Sequence, residues 1–450
     1  MKEHFKIKKG LDIPLAGEAP LKDLPDISSD KYAILPQDFR LLSPRLLVKE
    51  GDDILAGEPI IQNKLNENIF ITSPISGKVT AIIRGEKRIL KQIIITPNSS
   101  QEYKIFNIPN TLDRDNIIKL LLESGLWVNI RQRPYGIIAN PSDMPKAIYI
   151  SAFDSSPLAP DPDYLIKDEE ESFQKGIDII KNLTSGPIYL NISSSRNKSD
   201  FYKSIKNIEL HDFEGPHPVG NVSVQISKIS PINKGDIYWY LYPQDVIFIG
   251  RLFQNGKLDL HKKIVLAGSE LTERGYITTL PGMSMQALLS NRLKQNNVRV
   301  ISGNVLTGTN AGLDGFLSYY DNQITVIPEG YYYDFFGWVA PKFTKYSPSR
   351  MIMNWLIRSK KKKYVLDTNM HGEERPFVLS DQYDKYFPFD IYPVYLLKAI
   401  LSENIEQMEN LGIYEIVEED FALPEYVCVS KINLQEIVRK GIDLMIKETT

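Results

Sequence analysis

The residues best equipped for chemistry gather in one stretch: Trp127, Arg131, Arg133, Pro134 and Tyr135. Arginines bring fixed forks of N–H donors, and the aromatic side chains bring flat apolar faces. An apolar helical pattern (Ile117, Leu120, Leu121, Leu122) precedes the stretch and ends at Gly125. A buried strand over residues 147–151 follows, and it runs into a polar, proline-rich end at residues 153–162. Helix, loop, strand and polar strand-end are how an open α/β sheet builds a ligand crevice at its carboxyl edge.

Other chemistries lack their residues. Cys428 is the only cysteine, so no disulfide, cysteine-held iron–sulfur cluster or zinc ribbon can be built within the chain. The five histidines are scattered, and the nearest pair, His211 and His217, reads as polar loop residues rather than a metal site. GxGxxG and GxxxxGK[ST] are both absent; Gly77-Lys78 and Gly256-Lys257 lack the Ser or Thr that must follow. A nicotinamide dehydrogenase loses its main support.

The elements that must position the arginines read as an α/β multidomain chain, since 450 residues exceed one core. Residues 1–103 hold strand-like pieces at 5–7 and 32–35, then a small β-sandwich. There, short apolar runs alternate with turn pairs such as Gly51-Asp52, Gly57-Glu58 and Gly85-Glu86. With Ser73-Pro74-Ile75-Ser76-Gly77-Lys78-Val79 this block is similar to the barrel-sandwich of biotinyl and lipoyl carriers. Its hairpin lysine, Lys64, lacks the Met-Lys-Met setting of biotin carriers and reads as a turn residue.

Residues 104–255 alternate helices (113–124, 164–184) with strands (147–151, 187–191, 208–212, 246–249), as a Rossmann-like βαβ sheet requires. Residues 256–330 place strands around a helix at 284–294, a β-grasp, SLBB-like pattern. Residues 331–450 read as a mostly helical domain, with an aromatic run at 331–338, helices at 350–358, 392–403 and 433–447, and four lysines at 360–363. Those lysines read as a solvated face, with anionic lipid as the alternative.

The formal charge of −3 argues against a nucleic-acid binder. No apolar run reaches the roughly 18–20 residues a membrane span needs. The N-terminus has no apolar signal core, which points to the cytosol, free or docked on a membrane protein.

A family resemblance then comes into view. Ile7-Lys8-Lys9-Gly10-Leu11-Asp12-Ile13-Pro14, Lys49-Glu50-Gly51-Asp52, Arg84-Gly85-Glu86-Lys87-Arg88, Glu123-Ser124-Gly125-Leu126-Trp127, Arg131-Gln132-Arg133-Pro134, Gly215-Pro216-His217-Pro218, Phe336-Gly337-Trp338 and His371-Gly372-Glu373-Glu374-Arg375 occur in that order. Together they resemble the NqrA family, one of the subunit families of the sodium-translocating NADH:quinone oxidoreductase, nearly end to end.

The resemblance implies a complex that oxidises NADH, reduces ubiquinone and exports sodium across the bacterial inner membrane. NqrA in it is peripheral, at the cytoplasmic face, without membrane spans and docked on the membrane subunits, chiefly the quinone-side one, NqrB. Flavins and an iron–sulfur cluster belong to other subunits. Relatives in the Rnf complex and respiratory complex I cradle flavin phosphate on a glycine-rich loop and hold a [4Fe–4S] cluster on a C-terminal cysteine set.

Here bulky side chains occupy residues 124–131, and only Cys428 stands in the cluster region. The expectation is a cofactor-free subunit that contributes to binding ubiquinone or menaquinone and to the later step of quinone reduction. Trp127, Arg131, Arg133, Pro134 and Tyr135 would lie near the quinone, with Phe39 a further candidate. The competing readings are a structural docking subunit whose arginines make ion pairs, an Rnf-type electron-transfer subunit, and a free-standing flavoenzyme.

Overall fold

The computed structural model describes residues 3–332, 345–348, 362–378 and 381–449. The expected helix at 350–358 lies outside the described residues, as do most of the aromatic run at 331–338 and the first two of the four lysines at 360–363.

A seven-stranded sheet positions the arginines. Its order is Glu3–Lys6, Glu209–Glu214, Ile188–Ile192, Ile148–Ser151, Tyr238–Leu241, Arg131–Arg133, Ile137–Ile138. The first five strands are parallel; Arg131–Arg133 runs antiparallel to them and Ile137–Ile138 antiparallel to Arg131–Arg133. The chain builds outward from Ile148–Ser151 to one side, then crosses to add Tyr238–Leu241 on the other. The gap beyond the carboxyl ends of those two strands is the switch point where open α/β sheets bind ligands. Arg131 pairs with Tyr240 near the carboxyl end of Tyr238–Leu241.

Three of the expected helices and strands differ from the sequence reading. Residues 246–249 were expected as a strand and lie inside the helix Pro243–Asn255. Pro243 starts that helix with its φ already set, and Asp245 Oδ2 accepts the Tyr242 N–H at 2.8 Å. The Val-Ile-Phe-Ile run is apolar because this helix is buried nearly all round.

The expected helix at 164–184 is divided into Pro162–Leu165 and Glu170–Ile180, with Asp168 left-handed between them (φ 69°). The second piece crosses Pro243–Asn255 so closely that a Cβ at Gly250 would lie 1.8 Å from the Ser172 carbonyl oxygen. The helix expected at 284–294 is only Met285–Leu288, since Asn291 turns left-handed soon after it (φ 57°).

Around this sheet lie the other units. The β-sandwich pairs a four-stranded and a three-stranded sheet over Ile54, Ile60, Ile61, Val79, Ile93 and Ile95. Thr72 ties it to the α/β unit by donating to the Ser124 carbonyl at 3.0 Å. A five-stranded mixed sheet over residues 262–328 follows, with Lys262–Ala267 parallel to Gln323–Pro328. The helices Pro393–Leu401 and Leu434–Thr449 bring Leu397, Val438 and Ile442 into one core with Tyr149, Phe213 and Val224 of the α/β unit. No described helix is long and apolar enough to cross a membrane.

Candidate functional site

The stretch expected as a long loop is a 3-10 turn, Leu126–Asn129, followed by a short hairpin, Arg131–Arg133 with Ile137–Ile138. This hairpin divides the candidate residues into three groups. Trp127 is wholly buried, packs edge-on against Trp239 with ring centroids 5.4 Å apart, and donates Nε1–H to the Ala139 carbonyl at 2.7 Å. It belongs to the core.

Arg133, Pro134 and Tyr135 hold the C-terminal segment. Arg133 is 1% exposed and donates Nη2–H to the Glu415 carbonyl at 2.6 Å. The Arg133-Pro134 bond is cis. The Tyr135 hydroxyl lies 3.1 Å from Thr449 Oγ1, and its carbonyl accepts from Arg40, which also pairs with Glu418 and Asp443.

Arg131 faces the switch point. Its guanidinium carbon lies 4.8 Å from the Tyr240 ring centroid, 4.8 Å from that of Tyr242 and 4.6 Å from that of Tyr320. Nε and Nη2 have no acceptor among the described residues. Burial works against the charge, but the faces of the tyrosine rings and Asp245 offset it, so Arg131 stays cationic. Burial pushes the Tyr240, Tyr242 and Tyr320 phenols up, which keeps them neutral donors. Phe39 joins from the N-terminal segment: its ring is 5.8 Å from Tyr320 and 5.0 Å from Tyr319.

Beneath these rings runs a buried polar chain. Tyr319 donates its hydroxyl to Asn129 Oδ1 (2.8 Å), Asn129 donates to Asp245 (3.0 Å), and Asp38 accepts the Tyr319 N–H (2.7 Å). Lys262 donates to the carbonyls of Tyr319 and Asp321, both at 2.7 Å. Burial lowers the Lys262 ammonium to about 8 and raises the Asp38 carboxyl to about 7.

On the other flank stands Glu419. Burial, then the neighbouring Asp420, push it up to about 7, against the pull of Arg133 and Arg131.

The three tyrosines, Asp245, Lys262 and Glu419 escaped sequence reasoning. The only local signal was the aromatic alternation Tyr238, Tyr240, Tyr242 at a strand end. Two surface grooves, of about 370 Å³ (Val48, Asp53, Lys104) and 550 Å³ (Tyr395, Ser402, Leu411), share no residue with the Arg131 cluster.

The segment that would have to cradle a flavin phosphate is closed. Leu126, Trp127, Val128 and Asn129 are all buried. Gly125 is left-handed (φ 78°), and a Cβ there would meet Thr72 Oγ1 at 2.5 Å. Among the described residues no cluster of His, Cys, Asp and Glu could hold a metal. His217 instead lies 3.0 Å through Nδ1 from Ser155 Oγ.

Comparison with known proteins matches three domain families along the chain. The NqrA N-terminal barrel-sandwich hybrid domain covers residues 5–98, the NqrA second alpha/beta domain 112–258, and the NQRA C-terminal SLBB domain 264–312. The NqrA subunit of the Na(+)-translocating NADH-quinone reductase of Yersinia pestis bv. Antiqua is 34% identical over 441 residues, 97% of this chain and 98% of the relative. Its counterpart from Neisseria meningitidis serogroup B is 34% identical over 451 residues, covering 99% and 100%.

The chain belongs to the NqrA family of Na+-translocating NADH-quinone reductase subunits.

Among solved structures, an NAD+-reducing [NiFe]-hydrogenase superposes on 74% of this chain and 61% of its own, with TM-score 0.38 and 12% identity. A likeness that weak carries no functional argument.

Proposed function

We propose that this chain, a subunit of the Na+-translocating NADH-quinone reductase, binds the quinone headgroup at the Arg131 crevice during the later step of quinone reduction. One observation carries the reading. At the switch point, Arg131 presents N–H donors that lack an acceptor among the described residues, inside a cage of three tyrosine rings. A quinone offers a flat ring to the tyrosines and carbonyl oxygens to the arginine. As electrons arrive the oxygens become negative, and a permanent cation beside them is favoured most in the reduced state. Glu419, half-buried beside Arg131 and Tyr242, is in place to supply a proton.

The chain works without a cofactor of its own. The closed segment at 124–131 and the single cysteine support this, and the electrons come from a flavin in a neighbouring subunit. It sits peripherally on the cytoplasmic face of the inner membrane, against NqrB, the quinone-side membrane subunit. The absence of a membrane-crossing helix among the described residues is consistent with that placement.

The test is Arg131→Ala in the assembled complex. A rise of roughly tenfold in quinone KM, with assembly retained, is the expected outcome for loss of one charged donor to a bound ligand. Unchanged quinone KM and inhibitor sensitivity would sink the site. The docking reading has its own observation: Arg133 and Tyr135 hold the C-terminal segment. Arg133→Ala should therefore act on folding or assembly first.

A further inference from the structure

The hairpin Gly77–Arg84 with Leu90–Pro97 has two unlike halves. Its base is woven into the β-sandwich. Gly77 and Lys78 pair with Ile54 and Asp53, and Ile93, Ile94 and Ile95 pair with Ile34, Ala33 and Tyr32. Beyond Ile82 on one strand and Gln92 on the other, no third described strand pairs with it, so the outer part projects as a two-stranded ribbon.

The tip of that ribbon carries Arg84, Lys87, Arg88 and Lys91, all exposed, against one carboxylate, Glu86. None of the four cations has an ion-pair partner among the described residues. Arg84 instead donates to the Arg88 carbonyl at 3.3 Å, and the stem of Lys91 folds over Gly85. Between these charges stand two bare isoleucines, Ile83 at 41% and Ile89 at 63% exposure. Lys87 and Arg88 are consecutive left-handed residues (φ 51° and 60°). Asn-Gly would make such a turn without strain. Two basic side chains at strained positions on a projecting tip point to a role outside folding.

We propose that this hairpin tip is a membrane-contact arm that seats its cations on anionic lipid headgroups and its isoleucines at the acyl boundary. Unpaired cations interleaved with bare aliphatic side chains suit that interface, where headgroup charge and apolar depth lie a few ångströms apart. An acidic protein face would satisfy the cations alone, and covering Ile83 and Ile89 as well would need an apolar strip set among its carboxylates, a pairing the headgroup and acyl layers supply directly. The inference rests on membership in a sodium-translocating complex, whose work is done at a membrane. It is independent of the quinone reading.

The test uses the full chain with Ile89→Cys carrying an environment-sensitive fluorophore. Cys428 is buried, so the label goes to the tip. The expected result is a blue shift on mixed phosphatidylcholine–phosphatidylglycerol vesicles, with affinity roughly tenfold or more above that for phosphatidylcholine alone and reduced by salt. Arg84→Glu with Arg88→Glu should abolish the shift while leaving the melting temperature unchanged. No emission change on the anionic vesicles overturns the proposal, as does equal binding to both compositions. Loss of complex assembly in the charge-reversed variant, with no vesicle response from the labelled chain whose arginines are intact, would assign the arm to an acidic protein partner instead.

Discussion

Two hairpins in this chain carry a pair of arginines, and their arginines meet opposite fates. In the hairpin at 131–138, Arg131 is caged by tyrosines and Arg133 is sealed to 1% exposure. In the hairpin at 77–97, Arg84 and Arg88 stand in solvent with no ion-pair partner among the described residues. Residue type does not separate the two cases. Remote chain does: Tyr320, Glu415 and Glu419 fold over the first hairpin, and nothing described covers the tip of the second. A buried arginine is coupled to stability and to whatever enters its crevice, whereas an exposed one is free to choose a partner.

The sharpest way to break this comparison is Arg133→Ala. It leaves the Glu415 carbonyl without its donor and Asp420 without a nearby cation. Chemical denaturation should show a loss of about 3–5 kcal/mol. A loss within about 0.5 kcal/mol, the usual range for a surface change, would mean that Arg133 is no more coupled than Arg88. Arg131→Ala should cost less, about 2 kcal/mol, the scale of a desolvated cation–π contact. Arg131→Lys should recover part of that stability but little quinone affinity, because an ammonium cannot present the same fork of donors.

The buried charges beneath Arg131 make a pH prediction. Asp38 is protonated in the folded chain up to about pH 7, whereas an unfolded aspartate releases its proton near about pH 4. Between those values the folded state holds a proton that the unfolded state has lost. Stability from this group therefore falls as pH rises, by about 1 kcal/mol per pH unit. Asp38→Asn should flatten that part of the stability–pH curve. An unaltered slope would show Asp38 to be ionised or open to water.

Smaller still is Trp127→Phe. It removes the indole bond to Ala139 and should cost about 1 kcal/mol without moving quinone KM. At the exposed hairpin, Arg88→Gln should change stability by less than about 0.5 kcal/mol. Thermal melts of both variants in one buffer would sharpen the contrast.

Much of the α/β sheet was legible because its central strands are short apolar runs: residues 147–151 and 187–191 appear as Ile148–Ser151 and Ile188–Ile192. Residues 246–249 misled because a helix buried nearly all round loses its amphipathic period and reads like a buried strand. The strand Arg131–Arg133 was hidden for a related reason. Its three residues are polar, and their pairing depends on Tyr238, Trp239 and Tyr240 far along the chain.

The same non-locality limited the site. Arg131 and Phe39 could be named from their chemistry. The rings that join them, Tyr240, Tyr242 and Tyr320, come from a strand end and from the five-stranded unit, and no local spacing links them. Trp127 and Tyr135 share the stretch with Arg131, yet the fold turns one into the core and the other toward Thr449.

Photolabelling tests the central claim most directly. A ubiquinone analogue bearing an azido group would be photolysed on the assembled complex, and the labelled peptides mapped. Label on peptides containing Tyr240 and Tyr242, Tyr320 or Phe39, reduced by Arg131→Ala and by excess ubiquinone, is the predicted result. Label confined to the other subunits, with this chain unmarked, would contradict the account.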